Sequence, residues 1–187
     1  DQRLLLNDNL VKSAILPRVS SELERDVVIQ GDTIIEGAVY ARYFEVQKGK
    51  LEVKGAVFTQ IELHVNNDAK GSALFHKAVG STDSIVSLAP SYRVIFHADI
   101  NAKQVKLRNA FVAGSIFADE IVLEDCIVIG GVFASLNLEI NNSIIGTFNS
   151  PLVRISKTVH LLLPSAFTVE KINVIPGTEM YNLSLAD

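Results

Sequence analysis

The sequence predicts an all-β fold: a single-stranded parallel β-helix with coils of about 16 residues and non-repeat caps at its ends. Three observations predict it. Hydrophobic residues make up 48% of the 187-residue chain, aromatic residues only 7%, and Trp is absent. Val, Ile and Leu carry nearly all of that apolar content, and β-branched side chains fit a pleated, half-buried surface. Gly114, Gly130 and Gly146 recur at intervals of 16, with Ala98 standing 16 before the first. Within a coil the alternation is period two, the signature of a strand. Val112, Gly114, Ile116 and Ala118 form the inward set, and Ala113, Ser115, Phe117 and Asp119 the outward set.

The columns follow in order along the coil. Ile95, Phe111 and Ile127 align, as do Phe96, Val112, Val128 and Ile144. Ile100, Ile116, Val132 and Phe148 form the next column, followed by Ala102, Ala118 and Ala134. Val105, Ile121 and Val153 align, as do Leu107, Leu123 and Ile155, and a one-residue slip brings in Leu138 and Ile140. Upstream, Gly37 and Gly55 open similar frames, followed by Phe44 and Val46 and by Ile61 and Leu63. Coils stacked about 4.8 Å apart would fill a narrow interior with alternating small and large residues. Glycine at the bends would accept a positive φ. Outward pairs 16 apart, Lys103 with Asp119 and Arg108 with Glu124, put opposite charges on adjacent rungs. Asn109, Asp125 and Asn141 form a polar column suited to a turn.

This frame divides the chain into an N-terminal cap or strap (1–26), a β-helix domain (27–157) and a C-terminal partial coil and cap (158–187). Residues 21–24 suggest a short helical turn, and residues 178–181 a short terminal helix. Residues 66–93 are rich in turn formers and break the period, so an irregular coil or loop is expected there. The chain opens at Asp1 and its one Met is Met180, which suggests a trimmed form of a longer chain.

A formal net charge of −4 lacks the electrostatic footprint of a nucleic-acid binder. No apolar run reaches the ~20 residues of a helical membrane span. One Cys excludes a disulfide framework, and Cys126, in line with Val94 and Ala110, is expected to be a buried thiol. No phosphate-binding loop, dinucleotide fingerprint or nucleophile elbow is present. His64, His76, His97 and His160 lack metal-ligand spacing, and His97 falls on the outward set. No catalytic, cofactor-binding or metal-binding residue is therefore assigned. His76 and Lys77 with Asp83, inside the irregular segment, are the weak candidates if the protein were an enzyme. Three places after successive glycines stand Tyr40, Phe58, Phe117 and Phe133. They are either a core column of reversed parity or an outward row suited to partner contact.

The run from Val27 to Ala41, with Gly31, Gly37 and then Phe44 and Val46, resembles the opening of bactofilins, as does 114–123. The likeness covers about 27–65 and 94–157, and the chain departs from the family at 66–93 and in its apolar C-terminal segment. The resemblance implies a right-handed triangular β-helix that polymerises without nucleotide or other cofactor by stacking coil on coil. It implies a cytoskeletal scaffold in the cytoplasm whose partner is a further copy of itself, with a membrane surface or another protein as a second contact, and no nucleic acid or small-molecule substrate. The alternative is a β-helix binding module or carbohydrate-active enzyme with its site near 66–93.

Overall fold

The computed structural model describes residues 3–16, 26–66, 71–88, 91–162 and 170–182. They form a parallel β-solenoid of about eight turns, with turns about 19 residues apart. The strands are β1 (Arg3–Leu6), β2 (Asn9–Val11), β3 (Asp26–Ile29), β4 (Thr33–Ile35), β5 (Val39–Val46) and β6 (Lys50–Val53). Then come β7 (Val57–Val65), β8 (Ser72–Phe75), β9 (Val79–Ser81), β10 (Ser84–Ser87), β11 (Val94–Phe96), β12 (Ile100–Asn101) and β13 (Gln104–Arg108). The last are β14 (Ala110–Val112), β15 (Ile116–Glu124), β16 (Ile127–Asn149), β17 (Leu152–Leu161), β18 (Lys171–Val174) and β19 (Glu179–Asn182). Every strand pairing is parallel, so the chain returns to the same face once per coil. Long strands such as β5, β7 and β15 bend from one face to the next at a register shift, for instance between Ala118 and Glu120.

Three faces result. The first stacks β1, β3, the end of β5, the end of β7, β10, β13 and the end of β15. The second stacks β2, β4, β6, β8, β11 and β14 and continues into β16. The third stacks the starts of β5 and β7, then β9, β12, the start of β15 and part of β16. Their inward columns meet as one core with Val27, Phe44 and Leu63 on the first face, Val53, Phe75 and Phe96 on the second, and Val39, Val57 and Ile100 on the third. Phe75 lies flat on Phe96 at 5.0 Å and edge-on to Phe44 at 6.5 Å, so three aromatic rings gather in one stretch of the interior, and Phe148 is buried elsewhere in it.

The predicted columns hold closely where the interval is 16, as in Val105 with Ile121, and the slip to Leu138 and Ile140 is confirmed. The period itself is not constant. Each face takes a similar number of residues, while corners differ in length, so the average rises to about 19. Ile145, rather than Ile144, is the buried member of its column, because Asn142 adds a corner residue.

Three segment assignments change. Residues 3–15 are not a strap: β1 and β2 pair with β3 and β4, and Ile15 bridges Val39, so they form a first coil. Of the irregular coil or loop expected at 66–93, residues 71–88 form a coil and not a loop, because β8, β9 and β10 supply one strand to each face in register. Residues 179–182 form β19, not a helix, and pair with β17. The suggested turn at 21–24 lies outside the described residues.

Two kinds of corner organise the coil. Between the first and second faces, Asp8, Asn109, Asp125, Asn142 and Lys157 take a positive φ of 45–57°, and Gly49 one of 91°. Asn and Asp tolerate this left-handed conformation better than most residues. The third member of the predicted polar column is thus Asn142, which donates to Asp125 at 2.7 Å, and not Asn141. Between the second and third faces the glycines serve closeness instead. A Cβ on Gly55 would lie 2.3 Å from the carbonyl carbon of Gly37, and one on Gly146 2.3 Å from the Gly130 oxygen. Their φ is not positive, which corrects the expected reason for glycine there.

Candidate interaction surface

The four aromatics singled out by sequence stand in one outward column of the third face. Tyr40 pairs with Phe58, Phe58 with Gly80, Gly80 with Asn101, Asn101 with Phe117, and Phe117 with Phe133. Tyr40, Phe117 and Phe133 are exposed and Phe58 is half-buried, so parity is outward and the column is not core. The rings gather into two stacks: Tyr40 on Phe58 at 4.8 Å and Phe117 on Phe133 at 5.2 Å. Gly80 and Asn101 separate them by two rungs without a ring. Each stacked ring turns a face to its neighbour, so the apolar surface is partly spent within the chain.

His76, Lys77 and Asp83 are not brought together as a site. His76 follows directly on β8 and its Nε2 lies 2.9 Å from Glu52 Oε1, with the His97 ring 5.2 Å away. Asp83 sits beyond β9, where its backbone N–H meets Ser81 Oγ and its carbonyl accepts from Gln104 N. Lys77 is exposed in the corner between β8 and β9. The full width of the third face therefore separates imidazole from carboxylate. His97 is exposed, as the outward set requires.

Cys126 is buried, and its Sγ lies 3.2 Å from the Glu124 carbonyl oxygen and 3.3 Å from that of Leu107. Burial pushes its thiol up from 9.0 to about 11, so it is protonated at neutral pH and a poor nucleophile. Of the two predicted charge pairs, Arg108 and Glu124 approach to 3.8 Å. Asp119 accepts instead from Ser135 Oγ. No three His, Cys, Asp or Glu side chains converge as a metal site among the described residues.

The second face holds an outward column that the sequence reading listed in part but did not separate from the core. Leu10 pairs with Ile34, Ile34 with Glu52, Glu52 with Leu74, and Leu74 with Ile95. Ile95 continues to Phe111 and Phe111 to Ile127. Ile144 donates its N–H to the Cys126 carbonyl, which places it beside Ile127, and pairs with His160; His160 pairs with Tyr181. Leu10, Ile34 and Tyr181 are exposed, and the others are half-buried. Grooves of about 560 Å³ over Leu10, Ile34 and Leu74, and about 250 Å³ over Ile127, Ile144 and His160, lie on this face. The signal was the alignment of Ile95, Phe111 and Ile127 one residue out of phase with Phe96, Val112 and Val128.

No family model, curated protein or solved structure matches the chain.

Proposed function

We propose that the chain is a non-enzymatic scaffold protein that self-assembles by stacking coil on coil, in the manner the bactofilin resemblance implies. The observation that carries this reading is the C-terminal coil. Ile172, Val174 and Met180 continue the inward columns of Val153, Ile155 and Val159, yet are 41%, 49% and 47% exposed. Among the described residues β18 (Lys171–Val174) pairs only with β17, so no described strand covers its outer edge. An open parallel edge over an uncovered apolar interior is a template for another coil. At the other end Leu6 and Ile15 are already buried, so the two ends differ.

The test is negative-stain electron microscopy of the full chain without nucleotide, beside a Val174→Lys variant. Filaments or end-to-end oligomers that the variant shortens are expected. Single particles of one coil-stack length at every salt and protein concentration would sink the proposal.

A further inference from the structure

The outward column of the second face has an internal symmetry. Phe111 lies at its centre. Three rungs toward the N-terminus, through Ile95 and Leu74, stands Glu52, the column's one carboxylate. Three rungs toward the C-terminus, through Ile127 and Ile144, stands His160, its one histidine. The adjoining column repeats the relation: Arg93 lies one rung before Asn109, and Asp125 one rung after it. A two-fold axis crossing the solenoid at Phe111 therefore sets Phe111 against Phe111, Ile95 against Ile127 and Leu74 against Ile144. It also sets Glu52 against His160 and Arg93 against Asp125.

We propose that this face is the contact between two copies of the chain packed side by side and antiparallel, with the two-fold axis at Phe111. A second copy is the occupant that the match of Arg93 with Asp125 favours; Glu52, held by His76 within its own chain, would meet an imidazole there and not a second carboxylate. The parallel alternative would set Glu52 against Glu52 and His160 against His160. An anionic membrane would meet Asp8, Asp32, Glu52 and Asp125 along the groove margins, and the chain carries a net −4. A peptide strand would need a free sheet edge, and around Phe111, from β4 to β14, each strand of this face is already paired on both sides. The single like-charged match, Asp32 with Glu179, falls on the outermost matched rung, where water and salt screen it. The face is about 40 Å long and about 10 Å wide, at rung and residue spacings of ~4.8 and ~3.3 Å. That footprint is at the low end of specific interfaces, so association belongs to the high-micromolar range. The proposal does not depend on end stacking.

The test uses the full chain carrying Val174→Lys, which keeps the C-terminal end out of the measurement. In sedimentation equilibrium up to about 500 μM, the mass is expected to rise from 20.4 kDa toward twice that value. Phe111→Asp, at a half-buried outward position, should keep the circular dichroism spectrum and weaken association at least about tenfold. Orientation is read with a short bis-maleimide able to span the ~10 Å between packed sheets. Phe111→Cys alone should cross-link to itself, and Ile95→Cys should cross-link to Ile127→Cys in a mixture better than either does alone. The buried Cys126 contributes no background. A constant single-chain mass, an unweakened Phe111→Asp dimer, or Ile95→Cys linking to itself as well as to Ile127→Cys would each overturn the proposal.

Discussion

Gly55→Ala isolates the role of the glycine corner. The new methyl carbon would stand 2.3 Å from the Gly37 carbonyl carbon and 2.4 Å from the Ala38 nitrogen. Ordinary contact begins near ~3.5 Å, so the rungs must part by about 1 Å. They cannot do so freely, because Val39 donates to the Ala56 carbonyl at 2.9 Å one residue away. Overpacking costs about 1–3 kcal/mol and a stretched buried hydrogen bond about 1 kcal/mol more. Restricting the unfolded chain returns about 0.4–1 kcal/mol. The net loss is about 2–3 kcal/mol, or roughly 5–10 °C in Tm for a chain of this length. Gly177→Ala is the contrast, since nothing lies within 4 Å of its Cβ position and its φ of 82° makes the cost conformational and local to the last coil. Thermal melts followed by far-ultraviolet circular dichroism measure both. Hydrogen exchange at residues 37–41 detects loosening confined to neighbouring coils, which one-dimensional stacks permit. A Gly55→Ala protein as stable as the parent, or harmed no more than Gly177→Ala, would refute the close-approach explanation.

Cys126, with its thiol raised to about 11 from 9.0, stabilises the fold fully below about pH 9. That contribution falls as pH rises to about 11, because the unfolded state loses the proton first, by at most about 3 kcal/mol; denaturant titrations should show Cys126→Ala lacking this part of the slope. Phe117→Ser, at an exposed ring, should cost about 0.5–1.5 kcal/mol and stay folded, whereas Phe96→Ser in the buried stack should cost about 3–5 kcal/mol; urea midpoints compare them. Thr59→Val should raise the urea midpoint by about 1 kcal/mol in stability, because the Thr59 hydroxyl is buried with no hydrogen-bond partner among the described residues.

The sequence revealed the coil most clearly where corners are uniform. From Val94 to Ile127, Ile95, Phe111 and Ile127 repeat at 16, and so do their buried neighbours. It misled at 71–88 because Gly80 and Ser81, read as turn formers, are strand residues of β9, a strand of three residues. Three residues hold too little alternation to outweigh their turn propensity. The first coil failed for the same reason, since β2 has three residues and its third face rests on the single bridge at Ile15. The aromatic row was legible as a row but not in sign, because a period of two leaves inside and outside interchangeable until a register is fixed.

The residues that fix that register are at the corners. Face residues interchange: Val, Ile, Leu and Phe all serve inside, and the same types stand outside on the second face at Ile34, Leu74, Ile95 and Phe111. Corner residues do not interchange so freely, because Asn109, Asp125 and Asn142 answer to a left-handed φ, and Gly37, Gly55, Gly130 and Gly146 to backbone contact. Counting outward from the left-handed Asn and Asp corners assigns parity directly, whereas after Gly49 and Lys157 the first inward residue comes one place later, at Leu51 and Val159. The residue after Asn109, Asp125 or Asn142 begins the second face inward, at Ala110, Cys126 and Ser143, all buried. The next residue points outward, at Phe111, Ile127 and Ile144, whatever the coil's length. A fixed interval of 16 places Ile144 inside; the corner at Asn142 places it outside, beside Ile127 in the column proposed to meet a second copy.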